Sequence, residues 1–391
     1  MNKLVSLFLM TWLGVLPLAT QAANNKVVTG SRPDISLRNE VEHAIGKGLT
    51  WLANKQQPGG YWAQTEHPAM TAMILTAFQG DPSGYYKRKH EQNIKLGYDY
   101  LVSNVKPDGS IHVKDLPNYN TALSMLALVV ANNTAYEPIL KNARKYLISQ
   151  QDDFGNKGMG DHPLDGGLGY SGSYQHSDIN NTTSALEALH YTRYLKSDVA
   201  NDPEARDLNW KAVSQFISRT QNLQGTNDQP WASNDAQNKG GFIYFPENSM
   251  AGQDTLPDGK VVYRSYGSAS YNGLLSLTYA QVDVKDPRVK GVLDWINRNF
   301  TLEENPGMGQ AGLFFYYHTL AKGLSLAGID SLPLKNGQSV KWRPALAKRL
   351  LDLQESDGSW INHKNGRFWE RDPHLATTHA VTALEIIYRG L

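Results

Sequence analysis

Gly48-Leu-Thr-Trp-Leu-Ala-Asn-Lys-Gln56-Gln-Pro-Gly-Gly60-Tyr-Trp62, near the start of the chain, is echoed near its end by Arg349-Leu-Leu-Asp-Leu-Gln354-Glu-Ser-Asp-Gly358-Ser-Trp360. Both carry Gln-x3-Gly-x-Trp. Each follows an amphipathic segment whose apolar residues recur at three and four, and each precedes a second helical pattern rich in Ala, Leu and Thr. The unit is helix, glycine turn, helix. The glycine permits the reversal, the glutamine can bond free backbone groups of a neighbouring helix end, and the indole covers the junction. Gln56, Gly60, Trp62, Gln354, Gly358 and Trp360 are therefore read as staples between repeats.

Weaker copies fill the interval. The segment from Asn93 to Val105 leads through Lys106-Pro-Asp-Gly-Ser110 to Tyr119–Leu128. Ala143 to Gln151 leads through Asp165-Gly-Gly-Leu-Gly-Tyr170 to Asp178–Leu189, and Leu208 to Gln221 leads through Lys239-Gly-Gly-Phe-Ile-Tyr244 to Tyr266–Ala280. Pro287–Phe300 pairs with Gly312–Gly328, and Trp342–Gln354 with Asp372–Tyr388. Such a hairpin cannot bury both its apolar faces alone, and an open stack leaves apolar ends. No polar capping repeat is present. The expected fold is all-α, a single α/α toroid (an α6/α6 barrel) of six helical hairpins, with the second helix of each pair inside. The insertion from Pro246 to Tyr263, with Pro257-Asp-Gly259, reads as a β-hairpin or lid at one rim.

The 391 residues include no cysteine, and 38 Lys and Arg balance 37 Asp and Glu. No disulfide, thiolate metal site or cysteine nucleophile is possible, and the balanced charge argues against a polyanion partner such as nucleic acid. Met1-Asn2-Lys3, an apolar run from Leu4 to Leu18 and Thr20-Gln21-Ala22 read as a signal peptide cleaved near Ala22. The expected division is 1–22 signal peptide, 23–34 linker and 35–391 toroid, in a periplasmic or secreted protein without a membrane span.

The Gln-x3-Gly-x-Trp repeat resembles that of squalene-hopene cyclases, oxidosqualene cyclases and protein prenyltransferase β-subunits, the prenyltransferase and squalene-cyclase repeat superfamily. The resemblance covers nearly the whole chain and implies the toroid. It further implies a central cavity that binds an isoprenoid or related lipid. Class II cyclases protonate their polyene with the middle carboxyl of Asp-x-Asp-Asp-Thr-Ala at the start of an inner helix. Here the match is Asp178-Ile-Asn180-Asn181-Thr182-Thr183. Asn180 stands where the protonating acid would be, and an amide has no proton to give an alkene. Asp178 is a candidate substitute, or simply the N-cap of its helix.

Tyr317-His318-Thr319 resembles the zinc-binding segment of the prenyltransferase β-subunits, but their thiolate ligand is impossible here. His318, Asp372 and His374, with His67 and Glu66 across the ring closure, have no ligand spacing, and no metal or other cofactor is expected. Asp178, His318 and Tyr317 are the catalytic candidates. The starts of the inner helices supply the candidate ligand contacts: His67, Tyr119, Asn120, Asn180, Asn181, Tyr266, Tyr271, Tyr316, Asp372 and His374. With ten Phe against twenty Tyr, this lining suits a hydrogen-bonding ligand as well as a hydrocarbon. Two other functions stay open. One is a polysaccharide lyase or hydrolase on an α/α toroid, with Tyr317, His318, Asp178 and Glu304 as its acids and bases. The other is a non-catalytic scaffold for a ligand or a protein.

Overall fold

The computed structural model describes residues 34–199, 202, 205–334 and 337–391. The expected signal peptide and nearly all of the expected linker lie outside them. Helix α1 (Ile35–Asn54) is followed by α2 (Pro68–Gly80), a short α3 (Tyr85–Lys89), α4 (Glu91–Ser103) and α5 (Pro117–Val130). Then come α6 (Glu137–Ser149), α7 (Ile179–Tyr191), α8 (Trp210–Arg219) and α9 (Gly267–Tyr279). The last are α10 (Pro287–Asn299), α11 (Leu313–Leu326), α12 (Trp342–Asp352) and α13 (Pro373–Tyr388). Only α3 was not expected from the repeat. No helix among the described residues is long and apolar enough to cross a membrane.

Six of these helices, α2, α5, α7, α9, α11 and α13, pack each against the next, and α13 returns to pack against α2. They are apolar on most sides, as α2 shows with ten of its residues buried. A helix with no polar face needs cover all round, and here two inner neighbours and the outer helices α1, α4, α6, α8, α10 and α12 supply it. The chain therefore forms a closed helical toroid.

The glycine turns work as levers between repeats. Gly60 has φ +83°, and a Cβ there would lie 2.3 Å from the carbonyl oxygen of Leu96 on α4. Gln56 Nε2 donates to the carbonyls of Gly60 (2.9 Å) and Asn93 (2.8 Å), tying the turn to the next outer helix. Gln354 Nε2 repeats this on Gly358 and, across the ring closure, on Ala44 of α1, each at 3.0 Å. The indoles of Trp62 and Trp360 donate to the carbonyls of Leu52 and Leu350.

Two degenerate repeats keep the same staple without the tryptophan. Gln151 Nε2 bonds the carbonyls of Gly166 and Asn209, and Gln221 Nε2 those of Gly240 and Arg288. The residue two after each turn glycine donates its N–H to a hydroxyl on the inner helix. Trp62 uses Thr71, Ile111 uses Thr121, Leu168 uses Thr182, Phe242 uses Ser270 and Trp360 uses Thr377. Five turns thus share this bond, and all five precede an inner helix. The inner-helix N-termini consequently gather at the rim that carries the turns.

The insertion after Phe245 forms the expected hairpin, with β1 (Gln253–Thr255) antiparallel to β2 (Val261–Tyr263). A second antiparallel pair, β3 (Ser331–Pro333) with β4 (Ser339–Lys341), joins α11 to α12 and was not anticipated.

Candidate functional site

Two chambers lie along the toroid axis. The turn-side chamber, about 280 Å³, is walled by the first halves of the inner helices and by residues of the turns. The far chamber, about 550 Å³, is walled by their second halves. Met73, Leu123, Glu187, His318, Lys322 and His379 belong to both walls and form a waist between them.

Tyr119, Asn180, Asn181 and Tyr266 all face the turn-side chamber. Tyr170 and Tyr244 join them from the glycine turns, each two residues after the position that bonds the inner-helix hydroxyl. That equivalence was present in the sequence, where both tyrosines close a Gly-Gly turn. Asn180 Oδ1 accepts from Asn272 Nδ2 at 2.7 Å, so this wall is cross-braced between α7 and α9.

Asp178 stands behind the wall and is fully buried. Its Oδ1 caps α7 by accepting the N–H groups of Asn180 and Asn181, each at 2.9 Å, and its Oδ2 accepts the Asn181 amide at 2.6 Å. The Tyr244 hydroxyl is a further donor to the same carboxyl. Burial raises the Asp178 pKa to about 7, against the opposing pull of these donors. Burial raises the pKa values of Tyr170, Tyr244 and Tyr266, and the charge of Asp178 adds to that rise.

Glu370, which sequence reasoning missed, lines the turn-side chamber directly. It lies 55 residues along the chain from Phe315, whose N–H donates to its Oε1 at 2.8 Å, so it caps α11 from a distant loop. Asn362 Nδ2 donates to its Oε2 at 2.8 Å. Burial raises its pKa to about 7. The turn that delivers it is strained: Phe368 and Trp369 both hold positive φ, 61° and 65°, a region bulky side chains rarely occupy. Phe368 lines the chamber beside Phe315, and Met250 of the hairpin insertion reaches the same wall.

At the waist, Lys322 Nζ donates to both carboxylate oxygens of Glu187 at 2.8 Å each. His318 Nδ1 lies 3.1 Å from His379 Nδ1. Burial pushes His318 well below its ordinary pKa and His379 down to about 3, with Lys322 adding to both effects. Both rings are neutral at physiological pH.

The remaining candidates stand away from the chamber walls. The Tyr316 and Tyr317 hydroxyls donate to the carbonyls of Thr301 and Leu302, and Arg349 Nε donates to Tyr317. Tyr271 packs against Tyr316 with ring centroids 5.7 Å apart. Asn120 bridges the Ala69 N–H and the carbonyls of Asp115 and Leu116. Asp372 caps α13 through the His374 N–H and bonds the His374 ring at 2.7 Å, while that ring lies against Trp51. His67 precedes α2 and meets Trp369 edge-on. Glu304 is exposed on the loop before α11. The structure thus brings His318 to the axis and leaves His374 and Asp372 as a separate pair. Among the described residues, no three His, Asp or Glu side chains converge to hold a metal.

No protein-family model matches this chain. No curated protein matches it either. Solved structures do. The type II terpene cyclase MstE from Scytonema is similar with TM-score 0.53 and 12% identity, over 92% of this chain and all of that one. That cyclase has been seen with its substrate, geranylgeranyl dihydroxybenzoate, and with its product, merosterolic acid A. An unsaturated glucuronyl hydrolase specific for heparin is similar with TM-score 0.55 and 14% identity, over 91% of this chain and 98% of that one. At such identities the likeness is one of fold, a terpenoid cyclase-like α/α toroid that this glucuronyl hydrolase also has.

Proposed function

We propose that this protein, exported by its signal peptide, binds a long and mostly apolar molecule of isoprenoid type along the toroid axis. The observation that carries this reading is the aliphatic run Leu123, Leu126, Val129, Val130, Leu326 and Ile386 in the wall of the far chamber, with the turn-side chamber on the other side of the shared residues. Each chamber is near or within the range of about 300–1,000 Å³ that takes organic ligands. A chain laid against these aliphatic residues gains burial at roughly 25 cal/mol per Å² of apolar surface, which an open polar groove does not offer. Tyr119, Asn180, Asn181 and Tyr266 would contact the end that lies in the turn-side chamber.

Asp178 is assigned to support rather than to proton donation. It lies behind Tyr244, and its oxygens already accept four donors. The motif position that would give the proton is Asn180. Native mass spectrometry of the protein incubated with prenyl hydrocarbons and ketones tests the binding reading. The expected result is a one-to-one adduct. Retention of the bare mass with every such compound would defeat it.

A second reading has one observation in its favour. Glu370 presents a carboxyl with pKa about 7 to a chamber otherwise rich in Tyr and Asn, as a general acid for a glycan would require. Release of reducing sugar from an oligosaccharide panel, abolished by Glu370→Gln, would favour it over lipid binding.

A further inference from the structure

The waist has a hydrogen-bonding character that its residue types alone do not reveal. Lys322 uses two of its three N–H groups on Glu187, so the pair is electrically neutral and retains one donor. The two imidazoles are neutral, and their Nδ1···Nδ1 contact requires a proton on one Nδ1 only. His318 Nε2 is buried with no hydrogen-bond partner. A bare lone pair is less costly to leave in that position than an N–H. His318 therefore carries its proton on Nδ1 and donates it to His379. The His379 proton must then sit on Nε2, which has no protein partner among the described residues.

The waist thus offers two donors, the His379 Nε2–H and the third Lys322 N–H, with no net charge. Lys322, His318 and His379 all line both chambers, so the two donors share one neighbourhood. An anion would meet Glu187, and a cation would meet the two N–H dipoles. A hydrocarbon would leave both donors unpaired. From this geometry we infer that the waist holds the carbonyl oxygen of an uncharged long-chain ketone, aldehyde or quinone, whose chain occupies the far chamber. The inference rests on the reading of the axial cavity as an apolar-ligand site and names the polar group that fits it.

The test uses a prenyl methyl ketone labelled with ¹³C at its carbonyl, together with the prenyl hydrocarbon and the prenyl carboxylic acid of equal length. The ketone is expected to bind the whole protein on the order of 3- to 10-fold more tightly than the hydrocarbon for each hydrogen bond gained, and more tightly than the acid. Isotope-edited infrared spectra should place the bound carbonyl stretch below its position in an alkane solvent. His379→Phe should move the band back towards that position, and His379→Gln, which keeps an N–H donor, should restore the shift. Should His379→Phe not fold, the wild-type band and the Gln variant decide the matter alone. Equal affinity for ketone and hydrocarbon, with the band at its alkane position, would overturn the inference while leaving the lipid reading intact. Tightest binding of the acid would also overturn it. Binding of none of the three would remove both.

Discussion

Removal of the Asp178 carboxyl separates a structural role from an acidic one, and the structure sets the size of the effect. Asp178→Ala deletes the N-cap of α7, worth about 0.5–2 kcal/mol. It also strands two buried donors, the Asn181 amide and the Tyr244 hydroxyl, at roughly 1–3 kcal/mol each. The expected loss is about 2.5–8 kcal/mol in urea unfolding. Asp178→Asn keeps one oxygen for the two backbone N–H groups. Its new N–H₂ can be met by a flipped Asn181, whose Oδ1 has no partner in the native arrangement. The asparagine variant should therefore lose about 1–2 kcal/mol.

The pH dependence supplies the sign. The Asp178 pKa rises from 3.8 to about 7 on folding, so the folded state holds the proton over a window where the unfolded chain does not. The stabilisation this group contributes is complete below pH 3.8 and is lost as pH rises through about 7. Wild type should lose stability relative to Asp178→Asn across that window, by up to about 1.4 kcal/mol per pH unit. An Asp178→Ala cost below about 1 kcal/mol would refute the capping argument. A slope of opposite sign would refute the claim that burial outweighs the four donors.

Other expectations follow from the same contacts. Gly240→Ala puts a Cβ 2.0 Å from the Gly291 carbonyl oxygen at φ +89°, and should cost at least about 3 kcal/mol by thermal or urea unfolding. Gly158→Ala, with similar φ and nothing within 4 Å, should cost only about 1 kcal/mol. Gln221→Leu leaves the Gly240 and Arg288 carbonyls without their donor and should cost about 2–3 kcal/mol, and Gln354→Leu should cost about as much at the ring closure. His379 goes from 6.5 to about 3 on folding, so its contribution is present above pH 6.5 and is lost as pH falls through about 3. His379→Phe should flatten the acid limb of the stability profile by about one proton, near 1.4 kcal/mol per pH unit at its steepest.

The toroid was legible because its staples are made by side chains at fixed spacing. Gln56 and Gln354 announce the repeat through the tryptophans beside them. Gln151 and Gln221 make the same bonds without that flag, and only the shared Gly-Gly turns marked their repeats. The wall of the turn-side chamber was half legible, since Tyr119, Asn180, Asn181 and Tyr266 sit where inner helices begin. Direction was not legible. Tyr316, Tyr317 and His318 follow one another at about 100° per residue, and only His318 meets the axis. Glu370 gave no local signal, because it lies in an irregular turn and caps a helix distant in sequence. Glu187 and Lys322 are 135 residues apart, yet each is an isolated charge within an apolar inner helix, and that pattern marks an axial ion pair.

The axial cavity is tested most directly by filling it. Val130 and Leu326 line the far chamber but not the waist or the turn-side wall. Equilibrium binding of a radiolabelled prenyl ketone to wild type, Val130→Trp and Leu326→Trp would report whether that chamber holds the chain. We expect at least a 10-fold loss of affinity in both variants, about 1.4 kcal/mol or more, with the folded structure retained by circular dichroism. Unchanged affinity in two folded variants would contradict the placement of the ligand on the toroid axis.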